Sequence, residues 1–219
     1  MVKARSYKLL CPIARALDRV GDRWTLLILR DLHAGPARFT DLQRGLTGIA
    51  ANLLTERLAK LVADGLVVQA PGPHAATVYE LTELGRKTRS LIFELAMFGG
   101  GLPHEGEPVA PGNLRTVAVT LGAAAERVEA WGFDLVSGLV VDGENMEISA
   151  KEGVASVFYR KAEQPDVVLT TSYESIMQLS DGALSEREFI KQESQVEIVT
   201  PGKDKELYRL FARILEAFR

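Results

Sequence analysis

The sequence predicts an α+β protein of two unlike domains, and three observations lead there. The first is a change of texture near the middle of the 219 residues: helical periodicity with one hairpin gives way to short strands punctuated by helices. The second is the segment 99–112, which packs five glycines and three prolines into fourteen residues, a composition that no helix or strand interior tolerates. It reads as a linker between a domain of residues 1–98 and a domain of residues 113–219. The third is charge. Residues 1–105 hold 14 Lys and Arg against 10 Asp and Glu, whereas residues 106–219 hold 12 against 19. A basic half attracts a polyanion that an acidic half repels.

Composition excludes several classes. At 47% hydrophobic and 25% charged residues the chain can bury a core, which rules out disorder. Uncharged apolar runs such as residues 24–29 and 135–141 fall far short of the roughly 18 residues of a membrane helix. A cytoplasmic protein with no membrane partner is therefore expected. One cysteine and three histidines give no intramolecular disulfide and little material for a metal site. No glycine-rich phosphate loop and no spaced nucleophile and base are present, so neither a cofactor nor an enzyme is expected.

The elements of the first domain follow in order. Residues 13–20 form a short helix closed by Gly21, and residues 24–32 an apolar helix closed by Gly35-Pro36. Residues 39–46 form another short helix with Thr40 as N-cap. Thr47-Gly48-Ile49 turns the chain, and residues 50–64 form a second helix ended by Gly65. Two helices joined by a tight Gly-containing turn are a helix-turn-helix candidate. At 100° per residue, Ala50, Ala51, Leu54, Leu58, Leu61 and Val62 share one arc of that second helix. Asn52, Glu56, Ala59 and Ala63 point away, with Thr55 and Lys60 on the flanks. A small, polar outward face suits insertion into a major groove, where Asn or Thr can bond base edges; an ordinary amphipathic surface helix has the same periodicity. Two β-rich runs, 66–70 and 77–81, enclose Pro71 to Ala76 as a hairpin with a long tip, which gives the element order of a winged helix. A last helix opens at Thr82-Glu83-Leu84-Gly85 and runs to Phe98. Leu84, Leu91, Leu95 and Phe98 form one stripe, while Phe93, Ala96 and Met97 make the other side apolar. Burial on both sides is needed, against a second subunit or against the C-terminal domain.

The motifs Cys11-Pro12, Gly21-Asp22-Arg23-Trp24-Thr25, Arg38-Phe39, Gly48-Ile49, Leu54-Thr55, Gly65-Leu66-Val67 and Val78 to Arg86 follow one continuous pattern over residues 8–98. That pattern resembles the HxlR-type family of bacterial transcriptional regulators. The resemblance implies a winged-helix homodimer of MarR-like architecture that reads a roughly palindromic double-stranded DNA operator. With it, the DNA-contact candidates are Arg38, Asn52, Thr55, Arg57 and Lys60, with Arg23 and Arg44 on phosphates and His74 and Thr77 at the wing. Arg57 has an alternative partner in Glu56 or Asp64. Ala50 and Ala51 stand where the family usually carries Ser or Thr and a longer polar residue, and His74 is the wing's only basic group. In some members a cysteine at the position of Cys11 serves as a redox switch, so Cys11 is a candidate redox sensor; Arg5, Arg15 and a helix N-terminus could lower its thiol pKa, and a small buried hydrophobe is the alternative.

In the second domain, residues 114–121, 133–141, 145–150, 154–160, 166–170 and 195–200 read as strands, with Asp142-Gly143 the strongest hairpin signal. Thr171 to Glu174 reads as a capping box opening a helix to about 179, Ser185 to Glu188 opens another, and residues 202–218 form a terminal helix with Leu207, Leu210, Phe211, Ile214 and Leu215 on one face. The sum is a mostly antiparallel sheet with helices on one side. Residues 154–219, through the run from Asp166 to Leu179 and Val196 to Thr200, resemble the sterol-carrier-protein-like fold, although Gln192-Glu193 replaces a glycine before the last strand. That resemblance implies an enclosed apolar pocket for a small-molecule effector. Its lining candidates are Phe158, Leu169, Ile176, Met177, Phe189, Phe211 and Leu215, and a solid core is the alternative. The function expected is a repressor-like, homodimeric, ligand-responsive transcriptional regulator. The alternative is an apolar-ligand carrier whose winged helix serves mainly for dimerisation.

Overall fold

A computed structural model describes residues 6–100, 102, 113–129 and 131–218. Most of the expected linker 99–112, and Arg5, lie outside the described residues. The chain divides into two compact units, one of residues 1–92 with 108–113 and one of residues 93–107 with 114–219.

In the first unit, α1 (Pro12–Val20), α2 (Thr25–His33), α3 (Phe39–Gly45) and α4 (Ala51–Ala63) precede the hairpin β1 (Val67–Pro71) and β2 (Thr77–Leu81). Asp22 starts α2 by accepting from the backbone N–H groups of Trp24 and Thr25, at 3.0 and 3.1 Å. The core is aliphatic: Ile28 and Leu29 of α2, Leu42 of α3, and Leu54, Leu58 and Leu61 of α4 are each at most 1% exposed. Thr40 is not the cap of α3. The cap is Arg38, whose backbone N–H donates to Asp41 Oδ2 at 3.1 Å, so the acidic side chain reaching back replaces the forward cap. The helix expected from Thr82 to Phe98 is two helices, α5 (Glu83–Arg86) and α6 (Arg89–Gly100). Thr82 caps α5 through its Gly85 N–H bond, and the Thr88 hydroxyl donates to the Gly85 carbonyl at 2.7 Å, turning the chain between the two.

The second unit is a five-stranded mixed sheet with helices. Strand order is β5 (Val154–Phe158), β4 (Glu144–Lys151), β3 (Leu135–Val141), β6 (Val167–Thr171), β7 (Ser194–Ile198). Among the described residues only the β3–β6 pair is parallel. Asp142-Gly143 closes the β3–β4 hairpin with φ of 47° and 84°, as a two-residue primed turn requires. Among the described residues its helices are α7 (Arg115–Ala125), α8 (Tyr173–Ser180), α9 (Glu186–Gln192) and α10 (Asp204–Glu216), together with residues 93–100 of α6. Residues 114–121, expected as a strand, open α7. Val117, Ala118, Val119, Leu121 and Ala123 to Ala125 are all buried, so their apolar run reflects burial on every side and not strand alternation. The cap of α8 is Ser172, accepting from the Ser175 N–H at 3.1 Å, one residue later than expected. Thr171 still belongs to β6, its hydroxyl donating to the Glu193 carbonyl. Ser185 and Glu188 form the expected capping box of α9.

On one sheet face Leu139, Met146, Ile148 and Leu169 are each at most 1% exposed, with α7 and α10 packed on the sheet and on one another. The Phe189 and Phe211 rings meet at a tilt of 54°, 5.5 Å between centroids. Among the described residues no helix is long and apolar enough to cross a membrane. Among them, too, no group of three or more His, Cys, Asp or Glu is placed to hold a metal ion.

Candidate nucleic-acid interface

The turn between α3 and α4 is short because Gly48 adopts φ +92°, a conformation that costs a residue with a Cβ. It lets Leu46 and Ile49 bury on the α2–α4 core while α4 turns its other side outward. Ala51, Asn52, Thr55, Glu56 and Ala59 form that exposed side. The buried arc of α4 is narrower than its periodicity implies: Ala50 and Ala51 are exposed and Val62 is 39% exposed, so the apolar anchor of the helix is Leu54, Leu58 and Leu61. Ala50 sits at the N-cap with φ −72° and ψ 142° and caps nothing.

The wing is braced to the helix-turn-helix in two ways. Ala37 and Tyr79 exchange backbone hydrogen bonds at 3.0 and 2.8 Å, so the residues just before α3 add a bridge to the hairpin. Arg38 then donates from Nη2 to the Pro73 carbonyl at 3.1 Å, tying the start of α3 to the wing tip. His74 and Ala75 at the tip are exposed, both with positive φ. Sequence reading found Arg38 but not the Ala37 bridge, since an isolated β-bridge leaves no periodic signal.

The nine DNA-contact candidates fall into two groups. Arg23, Arg44, Asn52, Thr55, His74 and Thr77 are exposed. The Arg23 guanidinium rests 5.4 Å from the Trp24 ring centroid, and Thr55 spends its hydroxyl on the Ala51 carbonyl at 2.9 Å. Arg38, Arg57 and Lys60 are half-buried and engaged within the unit. Arg57 lies 3.1 Å from both Asp22 and Glu56 carboxylate oxygens. Lys60 donates to the Asp18 and Arg19 carbonyls at the end of α1, at 3.2 and 3.1 Å, and to Asp64 at 2.7 Å. Those two side chains brace α4 against the start of α2 and the end of α1. Both are DNA-contact candidates by sequence, where Glu56 is already an alternative partner of Arg57; packing adds Asp22 for Arg57 and the end of α1 and Asp64 for Lys60. Cys11 is exposed at the N-cap of α1, its carbonyl accepting from the Arg15 N–H at 3.1 Å.

Of the lining candidates of the second unit, Phe189 and Phe211 meet in the buried layer, while Phe158 lies on the other side of the sheet from Leu169. Leu169 and Phe189 are fully buried and Phe211 nearly so, while Phe158 and Met177 are 37% and 38% exposed and Ile176 and Leu215 half-buried. The registers place Phe158 beside Glu147, on the sheet face opposite Leu169. Glu147, 7% exposed, is held on that face by the Arg160 guanidinium at 2.8 and 3.2 Å.

A helix-turn-helix whose hairpin is bonded to the start of its third helix defines a winged helix-turn-helix domain. Residues 19–105 match the family model described as HxlR-like helix-turn-helix. The chain belongs to the HxlR-like helix-turn-helix family. It is 43% identical over 101 residues to an uncharacterized HTH-type transcriptional regulator of Mycobacterium bovis, spanning 44% of this chain and 63% of that protein. It is 34% identical over 88 residues to the uncharacterized HTH-type transcriptional regulator YtfH of Escherichia coli, spanning 39% of this chain and 70% of that protein. It is also similar to a solved structure from Porphyromonas gingivalis W83 assigned to the MarR family of transcriptional regulators, at 30% identity over 43% of this chain and 94% of that one, with a TM-score of 0.41.

Proposed function

We propose that the chain is a DNA-binding transcriptional regulator that acts as a homodimer, with α4 in the major groove and the β1–β2 tip beside it. The observation that carries this is the exposed face of α4, where Ala51, Thr55 and Ala59 lie around Asn52 and let the helix approach base edges, while Glu56 on the same face is paired with Arg57. Asn52 is assigned to base edges. Arg44, exposed in the last turn of α3, and Arg23 are assigned to phosphates, with His74 and Thr77 at the wing. Arg38, Arg57 and Lys60 act by positioning. Support for the dimer comes from α6, where Leu91, Leu95 and Phe98 are 42%, 43% and 68% exposed. An uncovered stripe of that kind is covered by a second copy at the least cost. The second unit is read as an effector-sensing module of sterol-carrier-like kind that favours one spacing of the two recognition helices, in a repressor-like manner. Residues 1–98, 99–112 and 113–219 serve in this reading as reader, linker and sensor.

The test is retention of sheared DNA from the source genome at moderate salt, sequenced against a control without protein. A few sharp, roughly palindromic peaks are expected. Flat recovery at every salt concentration would overturn the reading.

A further inference from the structure

We propose that the second unit binds a small carboxylate with a flat apolar body in the cleft between the Trp131–Phe133 segment and α10. The cleft is open to solvent, has a volume of about 310 Å³ and is lined by Trp131, Gly132, Phe133, Arg209, Ala212 and Arg213. Its two walls have complementary chemistry. On one side the Trp131 and Phe133 rings meet edge to face at 90°, 5.9 Å apart, with Trp131 1% exposed and therefore fixed in place. On the other, Arg209 and Arg213 stand four residues apart, one helical turn, with Ala212 leaving a notch beside them. Side chains at that spacing are neighbours on a helix surface.

Both arginines are exposed, and neither has a hydrogen bond or ion pair among the described residues. That is unexpected where residues 106–219 carry 19 acidic against 12 basic residues and counter-ions are abundant along the chain. Arg160 and Arg127, by contrast, pair with Glu147 and Glu94. Arg213 gains something from lying in the last turn of α10, where the helix dipole favours a cation; Arg209 lies a turn too early for that. Two guanidiniums one helical turn apart can both donate N–H bonds to one carboxylate, and the half-buried Phe133 ring beside them, backed by the buried Trp131, offers a flat apolar surface. A cleft of this size admits a mono- or bicyclic ring. The site is distinct from the lining residues that the sterol-carrier resemblance implies, and it does not depend on DNA binding by the first unit.

The test is calorimetric titration of the full chain with 2-naphthoate, and with neutral 2-naphthamide as its uncharged counterpart. Saturable binding of one naphthoate per chain is expected below 1 mM, weakened at least tenfold in Arg209→Gln and in Arg213→Gln, with the amide weakened similarly. Circular dichroism confirms that each exposed-site variant folds. Absence of saturable binding at 1 mM overturns the proposal. So does binding that the arginine variants leave intact, or equal affinity for the amide, since either puts the ligand elsewhere or makes the guanidiniums irrelevant. Operator retention, measured on the same samples, reports on the first unit alone.

Discussion

Asn113 donates from Nδ2 to Oδ2 of Asp31 at 2.7 Å, and Asp31 is wholly buried in α2. Arg30 holds the other carboxylate oxygen at 2.7 Å. Gly45, the last residue of α3, lies so close that a Cβ there would stand 2.0 Å from Asn113 Nδ2. The residue that ends the first unit is thus seated at the junction of α2 and α3, where it satisfies a buried charge. Asn113→Ala removes one partner of that charge at a cost of about 1–3 kcal/mol. Amide hydrogen-exchange protection in α2 and α3 should fall about tenfold or more; unchanged protection would show that the bond contributes nothing.

His33 makes the first unit acid-sensitive. Burial, reinforced by the Arg89 and Arg86 charges, lowers its pKa to about 4, and its Nε2 lies 2.9 Å from the Thr88 hydroxyl. The folded state keeps the ring neutral where the unfolded chain protonates near 6.5, so the stability is fully present above pH 6.5 and is lost as pH falls from there towards 4. Between pH 7 and pH 5 the loss amounts to about 2 kcal/mol. The urea midpoint of wild type should fall over that range by clearly more than that of His33→Gln, and parallel curves would remove His33 as the cause.

Exposed and engaged candidates at the interface should separate on mutation. Asn52→Ala is expected to relax operator preference by about tenfold with the salt dependence intact. Arg44→Ala should weaken binding to all sequences alike and reduce the salt slope by about one. Lys60→Ala should chiefly lower the melting temperature, because it frees the carbonyls at the end of α1 and leaves Asp64 without that cation. Titration of each variant against one operator at three salt concentrations reads all three effects.

Ala50 occupies the N-cap of α4 in the backbone geometry of a capping residue but offers no acceptor. Ala50→Ser supplies one and should stabilise the first unit by about 1 kcal/mol. A melting temperature that stays put or falls would mean that the first turn of α4 is already satisfied by other groups.

The stripe on α6 predicts the oligomeric state. Leu95→Asp or Phe98→Asp places a charge in the surface assigned to the second copy, and sedimentation should show monomer where wild type shows dimer. Operator affinity should drop with it. Wild type sedimenting as a monomer at micromolar concentration would remove the dimer from the proposed function.

Most of the first unit was legible in the sequence because its signals are local. Gly48 and Gly65 mark turns, the Leu54, Leu58 and Leu61 spacing marks the buried face of α4, and the two β-rich runs around Pro71 to Ala76 give the hairpin. Asp142-Gly143 and the Ser185–Glu188 box were equally plain, since turn chemistry and caps act over two to four residues. Tertiary structure decided the rest. Residues 114–121 are a helix because their neighbours bury every side of it, and a uniformly apolar run has no period to betray its geometry. Arg57 and Lys60 are braces because Asp22 and the end of α1, remote in sequence, come within 3.2 Å of them. Charge and periodicity tell what a side chain can do; which partner it meets depends on chain segments that only folding brings together.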